Sequence, residues 1–311
     1  MSVICKVDGK EFKDEKSLHL ALKSYGLNKE KYYHKYYPKK DFLTDEVINF
    51  KSKEQYFNND FNHKNNMKKW LKIQPIEKAR EYCREILVKR KKEKKIIFSP
   101  SQVELRSIMS PSILFYNKIF NNYYDLCESL ELKNKFMSPD NIYNQFKNKL
   151  SIKDTIYIDT REQNWLKFNI PFEIKTLPYG DYTCNNYNCN CYIERKSLSD
   201  FISTLSTGNI NRFNNEILKA KKDGAYLIVI IEEKLSNALS FKHLPHISKK
   251  IKVTPEFIFH NLRSLMQNYD NLQFLFVDGR EEMKRVIESI FSSECFYKKI
   301  DLQLAYDMKI L

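Results

Sequence analysis

The chain carries Gly180-Asp181, then Glu194-Arg195-Lys196 and Asp200, spaced as G-D-x(12)-E-R-K-x(3)-D. Phosphodiester hydrolysis needs this set of groups. Two carboxylates hold a hard divalent cation, and the cation polarises a phosphate and lowers the pKa of a bound water. A nearby lysine orients that water or offsets charge on the pentavalent transition state. Glu194 and Lys196 stand two apart, so on a strand they project from one face toward one phosphate. Upstream, Ile156-Tyr157-Ile158-Asp159-Thr160-Arg161-Glu162 closes an apolar run with Asp-x-Arg-Glu. Singly, each group has a plainer reading. Asp159 and Asp181 suit strand ends and turns, Glu194-Arg195-Lys196 suits a solvated edge strand, and Asp200 can pair with Lys196 at i,i+4. Their presence together, in one order, is what the plainer readings leave unexplained.

Strands and helices must alternate around these residues to hold them. Thr155–Asp159 is a short β-branched and aromatic run, and 172–176 alternates apolar with polar residues, so both predict strands. Tyr192-Ile193 leads as a strand into Glu194. Asp200–Leu205 and Ile210–Ala220 have helical spacing, punctuated by Gly208. Ala225–Ile231 is continuously apolar, as a central strand covered on both faces should be. Leu272–Val277 predicts another strand and Glu281–Phe291 an amphipathic helix. This alternation implies an α/β layer domain.

Together, the D-x-R-E, G-D and E-R-K-x-x-x-D segments resemble the nuclease domain of the XPF/Rad1 family of structure-selective DNA endonucleases, over about residues 152–291. The resemblance implies a restriction-endonuclease-like α/β core, a mixed central sheet flanked by helices, hydrolysing DNA with a divalent metal, with branched or flap DNA as the class of substrate to expect. It implies that Asp181 and Glu194 ligate Mg²⁺ or Mn²⁺, with Asp159 contributing directly or through water. Lys196 would be the catalytic lysine beside the attacking water. Arg195 and Asp200 complete the signature as supporting groups, and Arg161 and Glu162 belong to its upstream element. Arg212-Phe213, before Asn215, matches a basic-aromatic pair of the family more loosely: the family places its Arg directly after Gly, whereas here Gly208 is followed by Asn209-Ile210-Asn211. Many members continue into a tandem helix-hairpin-helix domain that binds DNA and dimerises. Ser292–Leu311 is too short for that module, and the chain carries no helicase. A homodimer through the nuclease domain therefore stays open, as does preference for one branched junction. A catalytically silent DNA-binding protein on a nuclease fold is the alternative, and the intact Asp181, Glu194 and Lys196 speak against it. No residue excludes RNA.

Charge points to a nucleic-acid partner and locates it. The net charge is +14, from 53 Lys+Arg and 39 Asp+Glu. Residues 1–150 hold 31 basic and 19 acidic residues, a net +12, which leaves +2 for 151–311. Basic residues placed along phosphates gain affinity by counterion release. No stretch approaches the ~18 apolar residues of a membrane span, and the N-terminus lacks a signal-peptide core. Seven cysteines with irregular spacing predict a reducing compartment, cytoplasmic rather than secreted. The wealth of Lys, Asn and Ile suits an AT-rich genome such as that of a bacterium or its phage.

Four regions follow. In 1–30, Cys5-x-x-Asp8, Phe12, Leu18, Ala21 and Tyr25 fall at the positions of a two-Cys, two-His zinc finger. Only Cys5 survives of the four ligands, so the expectation is a degenerate ββα module without structural zinc. Residues 31–98 read as a mainly α-helical basic region. Tyr32, Tyr33, Tyr36 and Tyr37 interleave with lysines there, which suits either grip on bases or a core. Lys89, Arg90, Lys91, Lys92, Lys94 and Lys95 end a helix with apolar residues at Ile76, Ala79, Cys83, Ile86 and Leu87. The macrodipole favours cations there, and their density predicts phosphate contact, as for Arg212. In 99–140, Ser99-Pro100 and Ser110-Pro111 predict N-cap and N1 of two short helices, with Leu114, Phe115, Ile119, Phe120, Tyr124, Leu126 and Leu130 on one face. The pattern predicts a helix-turn-helix-like DNA-binding repeat, similar to those appended to phage and homing endonucleases, with a structural helical linker as the rival reading. Met137–Asn141 predicts a hinge before the nuclease domain, 141–311. Cys184, Cys189 and Cys191 are expected as free thiols on a hairpin, with metal coordination the rival reading.

Overall fold

The computed structural model describes residues 2–38, 75–108, 110–138, 155–185, 190–241, 253–293 and 295–311. Residues 39–74 of the expected basic region, residues 139–141 of the expected hinge, and Cys189 lie outside the described residues. The chain divides into two compact units, Met1–Glu85 and Ile86–Leu311. The expected boundaries after residues 30, 98 and 140 do not coincide with this division.

In the first unit, β1 (Val3–Ile4) pairs antiparallel with β2 (Glu11–Phe12), and α1 (Glu15–Ala21) follows. Asp14 caps α1 by accepting from the Ser17 N–H, and Asn28 caps α2 (Lys29–Tyr36) in the same way. Cys5, Leu18, Leu22 and Tyr32 form the core. At the positions where a finger would hold zinc, the Tyr25 hydroxyl donates to Asp8 Oδ2 at 2.6 Å. That bond holds Asp8 below its ordinary pKa and pushes Tyr25 up to about 12. Among the described residues no group of three or more His, Cys, Asp or Glu could hold a metal ion. Of the tandem tyrosines, Tyr32 is fully buried, its hydroxyl accepts from the Lys6 N–H at 2.9 Å, and the rings of Tyr33, Tyr36 and Tyr37 surround it. Tyr32, Tyr33 and Tyr36 serve the core, while Tyr37 is exposed.

The second unit is built on a six-stranded mixed sheet with the order β4-β3-β5-β6-β7-β8. Its strands are β3 (Ile156–Asp159), β4 (Phe172–Lys175), β5 (Tyr182–Cys184), β6 (Cys191–Lys196), β7 (Tyr226–Ile231) and β8 (Leu272–Phe276). β5 runs antiparallel to both of its neighbours, and the other pairs are parallel. All six residues of β7 are buried, because helices cover both faces. Leu227, Val229 and Ile231 face one cluster, shared with α7 (Leu198–Thr204), α8 (Ile210–Lys222) and α10 (Pro255–Asn268). A short helix, α9 (Leu235–Ala238), lies between β7 and α10 in the chain. Tyr226, Ile228 and Ile230 face the other cluster, with α11 (Arg280–Ser292) and α12 (Leu302–Asp307). The period of two along each strand sorts side chains between these layers. This is the α/β architecture expected from the sequence.

The helices that lie before the sheet and after Glu85 belong to the same unit, whose boundary falls within the first of them. α3 (Ile76–Lys94) carries a buried stripe of Ala79, Cys83, Ile86, Leu87 and Arg90, whereas Ile76 is exposed. α4 (Gln102–Ser107), α5 (Ile113–Phe120) and α6 (Tyr123–Ser129) follow. Their N-caps are Ser101 and Ser112, not Ser99 and Ser110. The Ser99 N–H donates to the Lys133 carbonyl at 2.9 Å and its Oγ is buried without a partner, whereas Ser101 forms a capping box with Glu104. Ser110 Oγ instead meets the Tyr116 hydroxyl at 3.0 Å. The buried face comprises Ile113, Tyr116, Ile119, Tyr123, Tyr124, Leu126 and Leu130; Ile119, Tyr124, Leu126 and Leu130 lie inside as expected, whereas Leu114 is exposed.

A buried polar network joins these helices to the sheet layer. The Gln102 N–H donates to Asp301 at 2.5 Å and its side chain donates to Asp307 at 2.7 Å. Glu104 accepts from Ser101 N–H and from Gln267 Nε2, both at 2.8 Å. Lys135 donates to the Met266 and Tyr269 carbonyls at the end of α10. α6 carries Asp125 and Glu128 and no basic residue, so it lacks the cationic face of a recognition helix. No described helix is long and apolar enough to cross a membrane. Cys5, Cys83, Cys127, Cys184 and Cys191 form no disulfide, but Cys295 is disulfide-bonded, so the expectation of wholly reduced cysteines does not extend to it.

Glu104 is 4% exposed and its carboxylate serves both the α4 cap and α10. Glu104→Ala is expected to lower the unfolding free energy by about 2–3 kcal/mol, the worth of a cap plus a charge-assisted bond. Urea denaturation followed by tyrosine fluorescence measures it.

Candidate active site

Three adjacent strands present the signature residues. Asp181 stands immediately before β5, Glu194 and Lys196 end β6, and Asp159 ends β3. The Asp159 N–H donates to the Asp181 carbonyl and the Asp181 N–H to the Ile193 carbonyl, each at 2.8 Å. Gly180 makes this approach feasible. Its φ is +58°, and a Cβ there would lie 2.8 Å from the Ile193 carbonyl oxygen. Only glycine combines that backbone angle with that contact.

Alternation along β6 divides its charges between two faces. Lys196 Nζ lies 2.8 Å from Glu194 Oε1, which confirms that the two share a face. Arg195 points the other way and pairs with Glu162 and Glu232, each at 3.1 Å. Its N–H, in contrast, donates to Asp181 Oδ2 at 2.7 Å. The backbone of β6 thus aims the carboxylate while the side chain of Arg195 secures the strand from behind.

Asp181 is the electrostatic focus. Burial, then the Glu194 charge, push its carboxyl up to about 7, against the lowering effect of the Arg195 N–H and Lys196. Two carboxylates near one another, one of them half-deprived of water, are in a state that a cation relieves. The donors are oxygen atoms, the chemistry a hard divalent ion selects. Asp181 and Glu194 therefore fit such an ion.

Asp159 is placed differently. It is 1% exposed, and its carboxylate accepts from Arg161 N–H at 2.8 Å, Arg161 Nε at 2.6 Å, Arg161 Nη2 at 3.1 Å and Leu177 N–H at 2.7 Å. These bonds occupy both oxygens. The carboxyl is held below its ordinary pKa by them, in spite of burial, the largest single influence. Arg161 also donates to the Leu177 carbonyl at 3.1 Å, yet its side chain stays 68% exposed. Asp200 sits in the first turn of α7, where its carboxylate accepts from Ser197 Oγ at 2.6 Å and completes the helix cap. Lys196 pairs with Glu194 and not with Asp200.

The sequence reading missed two acidic residues. Glu232 anchors Arg195 from the residue after β7. Glu216, on α8, is held above its ordinary pKa by desolvation and then by Glu194, with Lys196, Arg161 and Arg212 acting in the opposite sense. Its signal in the sequence was its position one turn beyond Arg212. Arg212 is thereby brought into the electrostatic neighbourhood of the site. The cluster at the end of α3 is more divided: Arg90 is buried, Lys91 donates to the Leu130 carbonyl and to Glu131, and Lys89 stands 4.0 Å from Glu93. Lys92, Lys94 and Lys95 are exposed.

Residues 158–290 match the family described as the ERCC4 domain, that of the XPF nucleases. Among solved structures, XPF from Aeropyrum pernix in complex with DNA is similar at 19% identity with a TM-score of 0.34, over 44% of this chain and 62% of that one. No curated protein matches.

The raised Asp181 carboxyl sets a pH dependence for the metal-free protein. Its folded pKa of about 7 exceeds the ordinary 3.8, so between these values the folded chain holds a proton that the unfolded chain has lost. In EDTA, stability is expected to fall as pH rises from about 4 to about 7, and Asp181→Asn should flatten that slope and melt higher than wild type at pH 8. Thermal melts across this range measure both.

Proposed function

We propose that the chain is a divalent-metal-dependent DNA endonuclease whose active site is Asp181, Glu194 and Lys196, with branched or flap DNA as substrate. The observation that carries this reading is the convergence of the three side chains: a carboxylate raised by its neighbour, a second carboxylate, and a lysine 2.8 Å from the latter on one strand face. The ERCC4 domain match over the same residues supports it.

Asp181 and Glu194 would hold Mg²⁺ or Mn²⁺, which when bound acts as a Lewis acid on the scissile phosphate and its attacking water. The protein's own residues do the rest. The Arg195 N–H fixes the direction of Asp181, and Gly180 brings it within reach of β6. The Lys196 ammonium, held by Glu194, donates to the water or to the phosphate oxygen on which charge develops. Asp159 is assigned a positioning role, because its oxygens are taken: it holds Arg161, whose exposed guanidinium faces the same carboxylates. Arg195, Glu162 and Glu232 brace β6, and Asp200 fixes the start of α7. The net +12 of residues 1–150 favours DNA association through that half of the chain.

The test is cleavage of labelled duplex, flap and forked DNA with Mg²⁺ or EDTA. Asp181→Asn and Glu194→Gln are expected to abolish cutting while DNA binding survives. Lys196→Ala should lower the single-turnover rate by ~10²–10³ with little change in affinity, and Lys196→Arg should not restore it, since its charge is differently shaped. Cutting undiminished by Asp181→Asn overturns the site. Binding without cutting in the wild type favours the silent DNA-binding alternative, and cutting of RNA alone replaces the substrate.

A further inference from the structure

The buried stripe of α3 ends on a charge. Ala79, Cys83 and Ile86 lead to Arg90, which is 9% exposed, and Lys94 follows one turn later on the same face. Across from them α10 presents His260 and Arg263. With Lys95, these side chains line a cleft of about 140 Å³. Arg263 donates from Nη1 to Ser107 Oγ at 2.9 Å, but its Nε is buried without a partner.

Holding a buried guanidinium beside a half-buried one whose Nε is shut off from water is unfavourable unless an anion joins them. Among the described residues neither Arg90 nor Arg263 makes an ion pair within 4.0 Å. Glu104 is the one carboxylate that acts on both, and its oxygens already accept from Ser101 and Gln267. Glu93 acts on Arg90 from the solvent side. The like charges show in their effects on one another: burial and then Arg90 pull Arg263 down to about 10, and burial, Arg263, Lys94 and Arg90 lower His260.

We propose that the cleft between the end of α3 and α10 binds a phosphate group, gripped by the Arg90 and Arg263 guanidinium groups and closed on the solvent side by Lys94 and Lys95. Arginine forks match phosphate oxygens in pairs, and the orphan Arg263 Nε supplies one such donor. The cleft has room for a tetrahedral anion with part of its water, given ~30 Å³ per water. The phosphate is either free or part of a nucleic-acid backbone. The site stands apart from the nuclease reading and does not depend on Asp181 or Glu194.

Calorimetric titration of the full chain with inorganic phosphate, in EDTA and low salt, tests the site directly. One saturable phosphate per chain is expected, and Arg263→Gln should abolish it. Lys94→Gln/Lys95→Gln, both exposed and therefore safe for folding, should weaken it by about tenfold, the scale of one lost charge-assisted contact. Arg263→Lys should not restore it, since the fork is lost. A second arm uses anisotropy of labelled duplex DNA in EDTA. If the phosphate belongs to DNA, free phosphate competes with it, and the lysine pair variant flattens the log K against log salt slope by ~0.9 per phosphate lost. If the phosphate is free, that slope is unchanged while the calorimetric loss remains. Either pattern supports the site. No saturable uptake by the wild type, or equal uptake by wild type and both variants, overturns it.

Discussion

Asp181 hangs from strand β6 by two hydrogen bonds, its own N–H to the Ile193 carbonyl and its carboxylate to the Arg195 N–H. Everything else at the site depends on how closely that pair of strands can approach. The Cβ-free Gly180 permits the contact, so the conformational constraint of one residue sets where the focal carboxylate points. A side chain at Gly180 would push the two strands apart and separate Asp181 from Glu194. The cost of holding the two carboxylates together appears in the raised pKa of Asp181, and that cost is what makes the place receptive to a cation.

The period of two in β6 then does the sorting. Even-numbered Glu194 and Lys196 face the site, whereas odd-numbered Arg195 faces Glu162 and Glu232. The same sequence triplet therefore supplies chemistry on one side of the sheet and bracing on the other. Asp159 at the end of β3 and Arg161 in the turn after it repeat the division of labour: the buried carboxylate spends its acceptors on holding a guanidinium that remains open to solvent.

The helices of 86–138 are joined to the sheet layer by buried polar contacts rather than by apolar surface alone. Gln102 reaches Asp301 and Asp307, and Glu104 reaches Gln267. Such bonds are directional, so they specify one docking geometry. One consequence is that α3 and α10 are brought together with like charges facing one another at the cleft. The same docking spends Ser101 and Glu104 on internal bonds that a freely exposed DNA-binding repeat would not require.

The sequence alone determined the sheet strands and the candidate site to a large extent, because both are written in local patterns. Period-two alternation and the unbroken apolar run of 225–231 announced strands, and the fixed spacing of Gly180-Asp181 and Glu194-Arg195-Lys196 announced paired carboxylates with a lysine. Tertiary structure decided what those patterns leave open. The acceptors of Asp159 are consumed by Arg161 and Leu177, and Glu216 and Glu232 arrive from distant segments. Lysines and arginines at the end of α3 looked alike in one dimension, yet only Arg90 lies on the buried stripe. The physical reason is common to all of these. Residue type states what a group can bond to, but the competition among partners is settled only when segments far apart in the chain are packed side by side.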